Sequence, residues 1–89
     1  MDWEELERRV RALGDSMADR LTNEQATWFT EFVEVGEYGL ALEMLADWLC
    51  EDALPISEAE LSEATSLATA MGNAERVTGP LRLCPRPLA

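Results

Sequence analysis

The chain has 89 residues, among them no lysine, no histidine and only two cysteines. Without an imidazole there is no base for a Ser–His–Asp or Cys–His nucleophile, and without an ammonium group there is no Schiff-base amine. Cys50 and Cys84, far apart in sequence and with no histidine between or beside them, do not make up the four-ligand set of a zinc site. One pair of cysteines is not a disulfide framework, and a reducing compartment keeps both as thiols. A glycine-rich phosphate loop is also missing: Gly36-Glu37-Tyr38-Gly39 lacks the spacing, and its carboxylate repels phosphate. No apolar run approaches the roughly 20 residues that span a bilayer. The start, Met1-Asp2-Trp3-Glu4-Glu5, has no basic, signal-like stretch, so the expected location is the cytoplasm. Carboxylates are plentiful enough for an acid–base pair, but so small a domain offers little enclosed space in which to raise one pKa selectively. We therefore assign no catalytic residue, no metal ligand and no cofactor.

Eighteen Asp and Glu face seven arginines, a net charge of −11. Phosphate neutralisation needs clustered cations, so direct binding of nucleic acid is not expected. Hydrophobic residues make up 47% and charged residues 28%, the balance of a folded domain rather than of an acidic disordered tail.

Trp3, Leu6, Val10, Leu13, Met17 and Leu21 recur at steps of three and four, which predicts a first helix over 2–21 with Trp3 in the core. Gly14 weakens this helix without breaking its stripe. Thr22 and Gln25 form a capping box that opens a second helix, with Ala26, Phe29, Phe32 and Val33 turned inward and Gly36 as its left-handed stop. A third helix over 37–52 buries Tyr38, Ala41, Leu42, Leu45 and Leu49, and by phase turns Cys50 towards solvent. Pro55 ends it, and a second capping box, Ser57 with Glu60, opens a fourth helix over 58–71 that buries Leu61, Ala64, Leu67 or Ala68, and Met71 before Gly72. Thr78-Gly79-Pro80 and Pro85-Arg86-Pro87 argue against further helix. The expected fold is all-α: a compact four-helix domain over 1–72, followed by an irregular, proline-containing C-terminal tail over 73–89.

The charge is unevenly spread. Between Leu21 and Glu75 there is no basic residue, whereas Glu24, Glu31, Glu34, Glu37, Glu43, Asp47, Glu51, Asp52, Glu58, Glu60, Glu63 and Glu75 all fall there. At about 100° per residue, Asp47 lies opposite the buried side of the third helix, with Glu43 and Glu51 a turn to either side. Like charges at i and i+4 oppose the helix by roughly 0.2–0.5 kcal/mol per pair, so the ridge is mildly self-repelling. Leu40 and Met44 flank it, and Trp48 lies between ridge and core. Apolar anchors ringed by charge of one sign fit a surface that steers and holds a cationic protein. The expected partner-binding face comprises Glu34, Glu37, Leu40, Glu43, Met44, Asp47, Trp48, Glu51 and Asp52. Trp28, at the edge of its helix, either anchors a partner or is covered by the tail. A purely solubilising acidic face remains the alternative for the carboxylates, as helix packing does for Trp48.

The run Gly36-Glu37-Tyr38-Gly39-Leu40-Ala41-Leu42-Glu43-Met44-Leu45-Ala46-Asp47-Trp48-Leu49, with Glu51-Asp52 and Pro55-Ile56-Ser57 after it, resembles the MafI-type immunity proteins of bacterial polymorphic toxin systems. The resemblance covers about residues 21–72. It implies an antitoxin that binds the C-terminal toxic domain of a secreted toxin, commonly a basic nuclease, and blocks it without chemistry of its own. Two other classes stay open: a small adaptor or assembly domain that docks a basic peptide or forms a homodimer, and a DNA mimic aimed at DNA-binding proteins. An immunity gene is expected directly downstream of a large secreted protein with a variable C-terminus.

Overall fold

Three side-chain caps, at Asp2, Thr22 and Ser57, and three left-handed turns cut the chain into its helices. In the computed structural model, which describes residues 1–87, these are α1 (Trp3–Ser16), a 3-10 turn (Ala18–Arg20), α2 (Asn23–Glu34), α3 (Tyr38–Glu51), α4 (Glu58–Met71) and α5 (Ala74–Arg82). Both capping boxes are formed: Thr22 Oγ1 accepts from Gln25 N and Gln25 Oε1 from Thr22 N, each at 3.0 Å. Ser57 and Glu60 do the same at 3.0 and 2.9 Å. Helices α2, α3 and α4 end alike, in paired 6→1 and 5→2 backbone bonds around a residue of positive φ. Gly36 and Gly72 supply that residue for α2 and α4, both at φ 80°. After α3 the position is held by Ala53 at φ 50°, a conformation that costs a residue with a Cβ about 1–2 kcal/mol.

Helix α3 is the hub, packed by α1, α2, α4 and α5. Ala41, Leu42, Leu45, Ala46 and Leu49 are fully buried there, and two alanines among them let neighbouring backbones come close. Against this hub lie Leu6, Val10, Leu13 and Met17 of the first segment, Phe29 and Val33 of α2, and Ala64, Leu67 and Ala68 of α4. Leu61 and Met71 are only half-buried, at the margin of the core. Gly14 permits the α1–α2 contact: a Cβ at this position would overlap the Phe29 ring. That glycine costs about 1 kcal/mol of helix propensity, less than the clash it avoids.

The first segment departs from the expected single helix over 2–21. Helix α1 ends at Ser16 and continues as a tighter turn, which keeps Met17 buried and Leu21 half-buried on the same side. Trp3, expected in the core, is 72% exposed, because the first turn of α1 overhangs its neighbours and the buried stripe begins at Leu6.

The larger departure is the tail. Residues 74–82, expected to be irregular, form α5, and the domain has five α-helices among the described residues rather than four. Val77, Leu81 and Cys84, spaced four and three, lie buried against α3 and α4 with Thr78 beside them, and Thr78 Oγ1 donates to Ala74 O at 2.8 Å. Burying Val77 and Leu81 stabilises by roughly 3–6 kcal/mol together, which offsets the cost of about 3 kcal/mol for Pro80 inside a helix. Irregular chain begins only at Leu83. There Pro85 O accepts from Ile56 N at 2.9 Å, and Arg86 Nε donates to Glu58 Oε1 at 2.7 Å, tying the segment to the α3–α4 loop and the start of α4. Leu88 and Ala89 of the expected tail lie outside the described residues. The same segment covers the end of α3, so Cys50 is half-buried rather than solvent-facing; it and the buried Cys84 are free thiols.

One ion pair fastens the 3-10 turn to α4. Arg20 donates bidentately to Glu60, Nη1 to Oε1 at 2.8 Å and Nη2 to Oε2 at 2.6 Å, and also to Pro55 O and Ser16 O at 2.8 and 2.7 Å. Ser16 Oγ, at 3.1 Å, and the capping-box Ser57 N, at 2.9 Å, also donate to Glu60. The guanidinium hydrogen bonds hold the Glu60 carboxyl down to about 2, against partial burial that works the other way. No described helix is long and apolar enough to cross a membrane.

Two outcomes follow from this packing. Leu81→Ala is expected to cost about 2–4 kcal/mol in urea unfolding, as for any core leucine; a loss under about 0.5 kcal/mol would place the segment outside the core. Because Glu60 has a lowered pKa in the folded state, the stability it contributes is complete above its unfolded pKa and is lost as pH falls from about 5 to about 2. Glu60→Gln should therefore destabilise the protein by about 2–3 kcal/mol at neutral pH. It should also flatten the fall in stability across that acid window, read as urea midpoints at a series of pH values.

Candidate partner-binding surface

The short turn at Val35–Glu37 returns the chain so that α2 and α3 pack as an antiparallel hairpin, the N-terminal half of α2 beside the C-terminal half of α3. The core takes Phe29 and Val33 from one helix and Leu42, Leu45 and Leu49 from the other. One step round from these, Trp28 and Phe32 stand four residues apart on α2, and Met44 and Trp48 four apart on α3. The two pairs line an open groove of about 550 Å³ along the outer seam of the hairpin, bordered by Thr22, Glu24, Gln25 and Glu51. The Trp28 and Phe32 rings are 6.0 Å apart and tilted by 40°, and Trp28 is 48% exposed. Trp28 Nε1 makes a long contact of 3.4 Å to Glu24 Oε1. Neither Glu24 nor Glu51 has a salt-bridge partner among the described residues, and no arginine lines the groove.

The expected face is divided by the fold. Met44, Trp48 and Glu51 lie together in this groove, with the exposed Asp52 next in the chain. Glu37 and Leu40 belong to a second open groove, of about 500 Å³, with Met1, Trp3, Tyr38 and Met71. There Trp3 and Tyr38 approach at 6.0 Å, and Tyr38 Oη donates to Glu7 Oε1 at 2.8 Å, which raises the phenol pKa and, with Arg11, lowers that of Glu7. Tyr38 is thus half-buried rather than fully in the core. Glu34 is exposed on the outer side of α2 beside Glu31, away from both grooves.

Glu43 and Asp47, the expected centre of an unpartnered ridge, instead share one arginine of the same chain, which offsets one of their two charges. Helix α5 lies over that side of α3, and Arg76 donates from Nη1 and Nη2 to Asp47 Oδ1 and Oδ2 at 3.0 and 2.7 Å, with Nε 3.8 Å from Glu43 Oε1. Asn73 Nδ2 also donates to Glu43 Oε2 at 3.0 Å and to Gly39 O at 3.2 Å, while its Oδ1 is buried without a partner. The phase of Asp47 on α3 is as read from the sequence; the helix that covers it was not expected. Glu58, Glu60 and Glu63 are likewise paired, with Arg86, Arg20 and Arg9. Glu24, Glu31, Glu34, Glu37, Glu51, Asp52 and Glu75 of the arginine-free stretch have no ion pair among the described residues.

Phe32, expected to point inward, is half-buried against the core with its ring also lining the groove, and Glu24 lies outside the expected partner-binding face. The 24–28–32 spacing on α2 was the available signal, since it sets a carboxylate and two aromatic rings on one stripe beside the buried one. Among the described residues no group of three or more His, Cys, Asp or Glu is placed to hold a metal ion. No family model, curated protein or solved structure matches the chain.

The pairing pattern separates carboxylates that support the fold from those that do not. Glu24→Gln and Glu51→Gln should each leave the free energy of unfolding within about 0.5 kcal/mol of the parent. A loss of more than about 1 kcal/mol in either would mean that the groove carboxylates are structural.

Proposed function

We propose that this chain is an immunity protein: it binds the C-terminal toxin domain of a bacterial polymorphic toxin, a basic nuclease domain, and neutralises it by occlusion without chemistry of its own. The observation that carries this reading is the α2–α3 groove, in which exposed Trp28 and half-buried Trp48 and Met44 lie between the unpaired Glu24 and Glu51. The MafI-like order of residues over 36–57 supports it, because that stretch supplies the α3 wall of the groove.

The division of labour follows from charge and burial. Six of the seven arginines are engaged by carboxylates of the same chain, so a field of one sign extends from α2 and the end of α3. Such a field raises association rates above the roughly 10⁵–10⁶ M⁻¹s⁻¹ of an unsteered encounter and weakens as salt is added. A nuclease domain presents a cationic surface to its substrate, and an acidic protein placed there competes with phosphate. Dissociation is limited by desolvated apolar anchors, for which Trp28 and Trp48 are the suitable groups. Glu43 and Asp47, already paired with Arg76, contribute little to steering.

The test is co-expression with the toxin domain encoded immediately upstream, scored by cell survival and co-purification, followed by association kinetics. Glu51→Arg with Asp52→Arg should slow association about tenfold or more at low salt and much less at high salt. Asp47→Asn should change it little, and Trp48→Ala should speed dissociation by about 30-fold, the factor for a residue of about 2 kcal/mol. Unchanged association of the double reversal at low salt would sink the steering role. Failure to rescue or to co-purify, with the chain purifying as a dimer, would favour the assembly-domain alternative.

A further inference from the structure

The groove between α2 and α3 has an apolar floor, aromatic walls and carboxylates at its rim, but no cation of its own. An apolar residue of a partner would fill the floor and leave Glu24 and Glu51 desolvated and unpaired, a costly arrangement. An anionic group is repelled by both. A planar cation satisfies all three features at once. Its face stacks on indole, its edge donates to a carboxylate, and its weak hydration makes it cheap to bring against Phe32 and Met44. A guanidinium meets these conditions better than an ammonium, which is more strongly hydrated and offers no flat face.

The protein's own arginines show why none of them fills this role. Arg9, Arg20, Arg76 and Arg86 are held by Glu63, Glu60, Asp47 and Glu58 on other sides of the fold, and none of the seven lines the groove. The second groove differs in kind. Its aromatic pair, Trp3 and Tyr38, has its hydroxyl committed to Glu7, which already pairs with Arg11, so Glu37 is the carboxylate left at its edge.

We propose that the α2–α3 groove is a subsite for an arginine side chain of the partner protein, the guanidinium lying against Trp28 and Trp48 and donating to Glu24 and Glu51. This deepens the preceding reading and rests on it for the identity of the partner, but the subsite is testable without the toxin. A toxin arginine held here would be one that contacts nucleic acid phosphate in the free toxin, so its capture couples binding to loss of substrate affinity.

The probe is N-acetyl-arginine methylamide, titrated into the ¹⁵N-labelled full chain at constant ionic strength, with the neutral isostere N-acetyl-citrulline methylamide as the comparison. The three indole N–H resonances of Trp3, Trp28 and Trp48 report the site. The arginine compound should shift Trp28 and Trp48 in a saturable manner, bind about fivefold or more tightly than citrulline, and leave Trp3 in place. Glu24→Gln with Glu51→Gln, which removes charge but not fold, should abolish that preference. Equal binding of citrulline, equal movement of Trp3, or no shift of Trp28 and Trp48 overturns the proposal. Rescue from the toxin with a silent arginine titration would remove the subsite and leave the immunity reading standing. Arginine binding without rescue would do the reverse.

Discussion

The burial of α3 is the constraint on which the rest of this domain depends. Its sequence is apolar around most of its circumference, and Ala41, Leu42, Leu45, Ala46 and Leu49 exclude water only if four other helices surround it. In an 89-residue chain those helices must be short, and short helices gain little from propensity alone, so each is stabilised chiefly by packing on its neighbours: all four on α3, and also α1 on α2 and α4, and α4 on α5. The left-handed turns at Gly36, Ala53 and Gly72 reverse the chain sharply enough to bring them there. Between the buried positions of α3, Met44 and Trp48 are half-buried and Glu51 is exposed, and these three form the α3 side of the candidate surface.

Charge is distributed to match. With arginine as its sole basic side chain, the protein pairs guanidinium groups with carboxylates across helices at a few points. Arg20 joins the 3-10 turn to α4, Arg9 joins α1 to Glu63, and Arg76 joins α5 to α3. Arginine suits this because its fixed fork holds two carboxylate oxygens, or a carboxylate and a backbone carbonyl, at once. The Arg20–Glu60 pair is little exposed and well supplied with further donors, so it contributes to stability, whereas the more exposed Arg76–Asp47 pair chiefly sets how α5 lies on α3. Of the carboxylates left without an ion pair among the described residues, Glu24, Glu31 and Glu34 lie on α2 and Glu51 and Asp52 at the end of α3.

The helix boundaries were largely legible because their causes are local. Thr22 with Gln25, Ser57 with Glu60, Gly36 and Gly72 each act within a few residues, through side chains that satisfy backbone groups or through a conformation that favours glycine. The buried faces of α2, α3 and α4 were legible in outline for a similar reason, since periodicity of the apolar residues is a local record of one-sided burial. Helix α5 was not, because Gly79 and Pro80 are local signals against helix, while the buried Val77, Leu81 and Cys84 gain their stabilisation only from contact with α3 and α4. Trp3 departs in the opposite direction: it lies on the apolar stripe of α1 but is covered only at its edge, by Tyr38 at the start of α3.

The sequence by itself thus determined an all-helical chain with defined starts and stops, an excess of negative charge without lysine or histidine, and the phase of each residue on its own helix. Only the tertiary structure decided which of those phases face solvent. Asp47 and Glu43 point where the sequence places them, yet α5 brings Arg76 over them and pairs Asp47 within the chain. Trp28 and Phe32 come to share a groove with Met44 and Trp48 because the turn at Gly36 folds α2 against α3. Phase is set by the pitch of one helix, whereas pairing and exposure are set by which other helix arrives beside it, and that is settled by the summed burial of the whole chain.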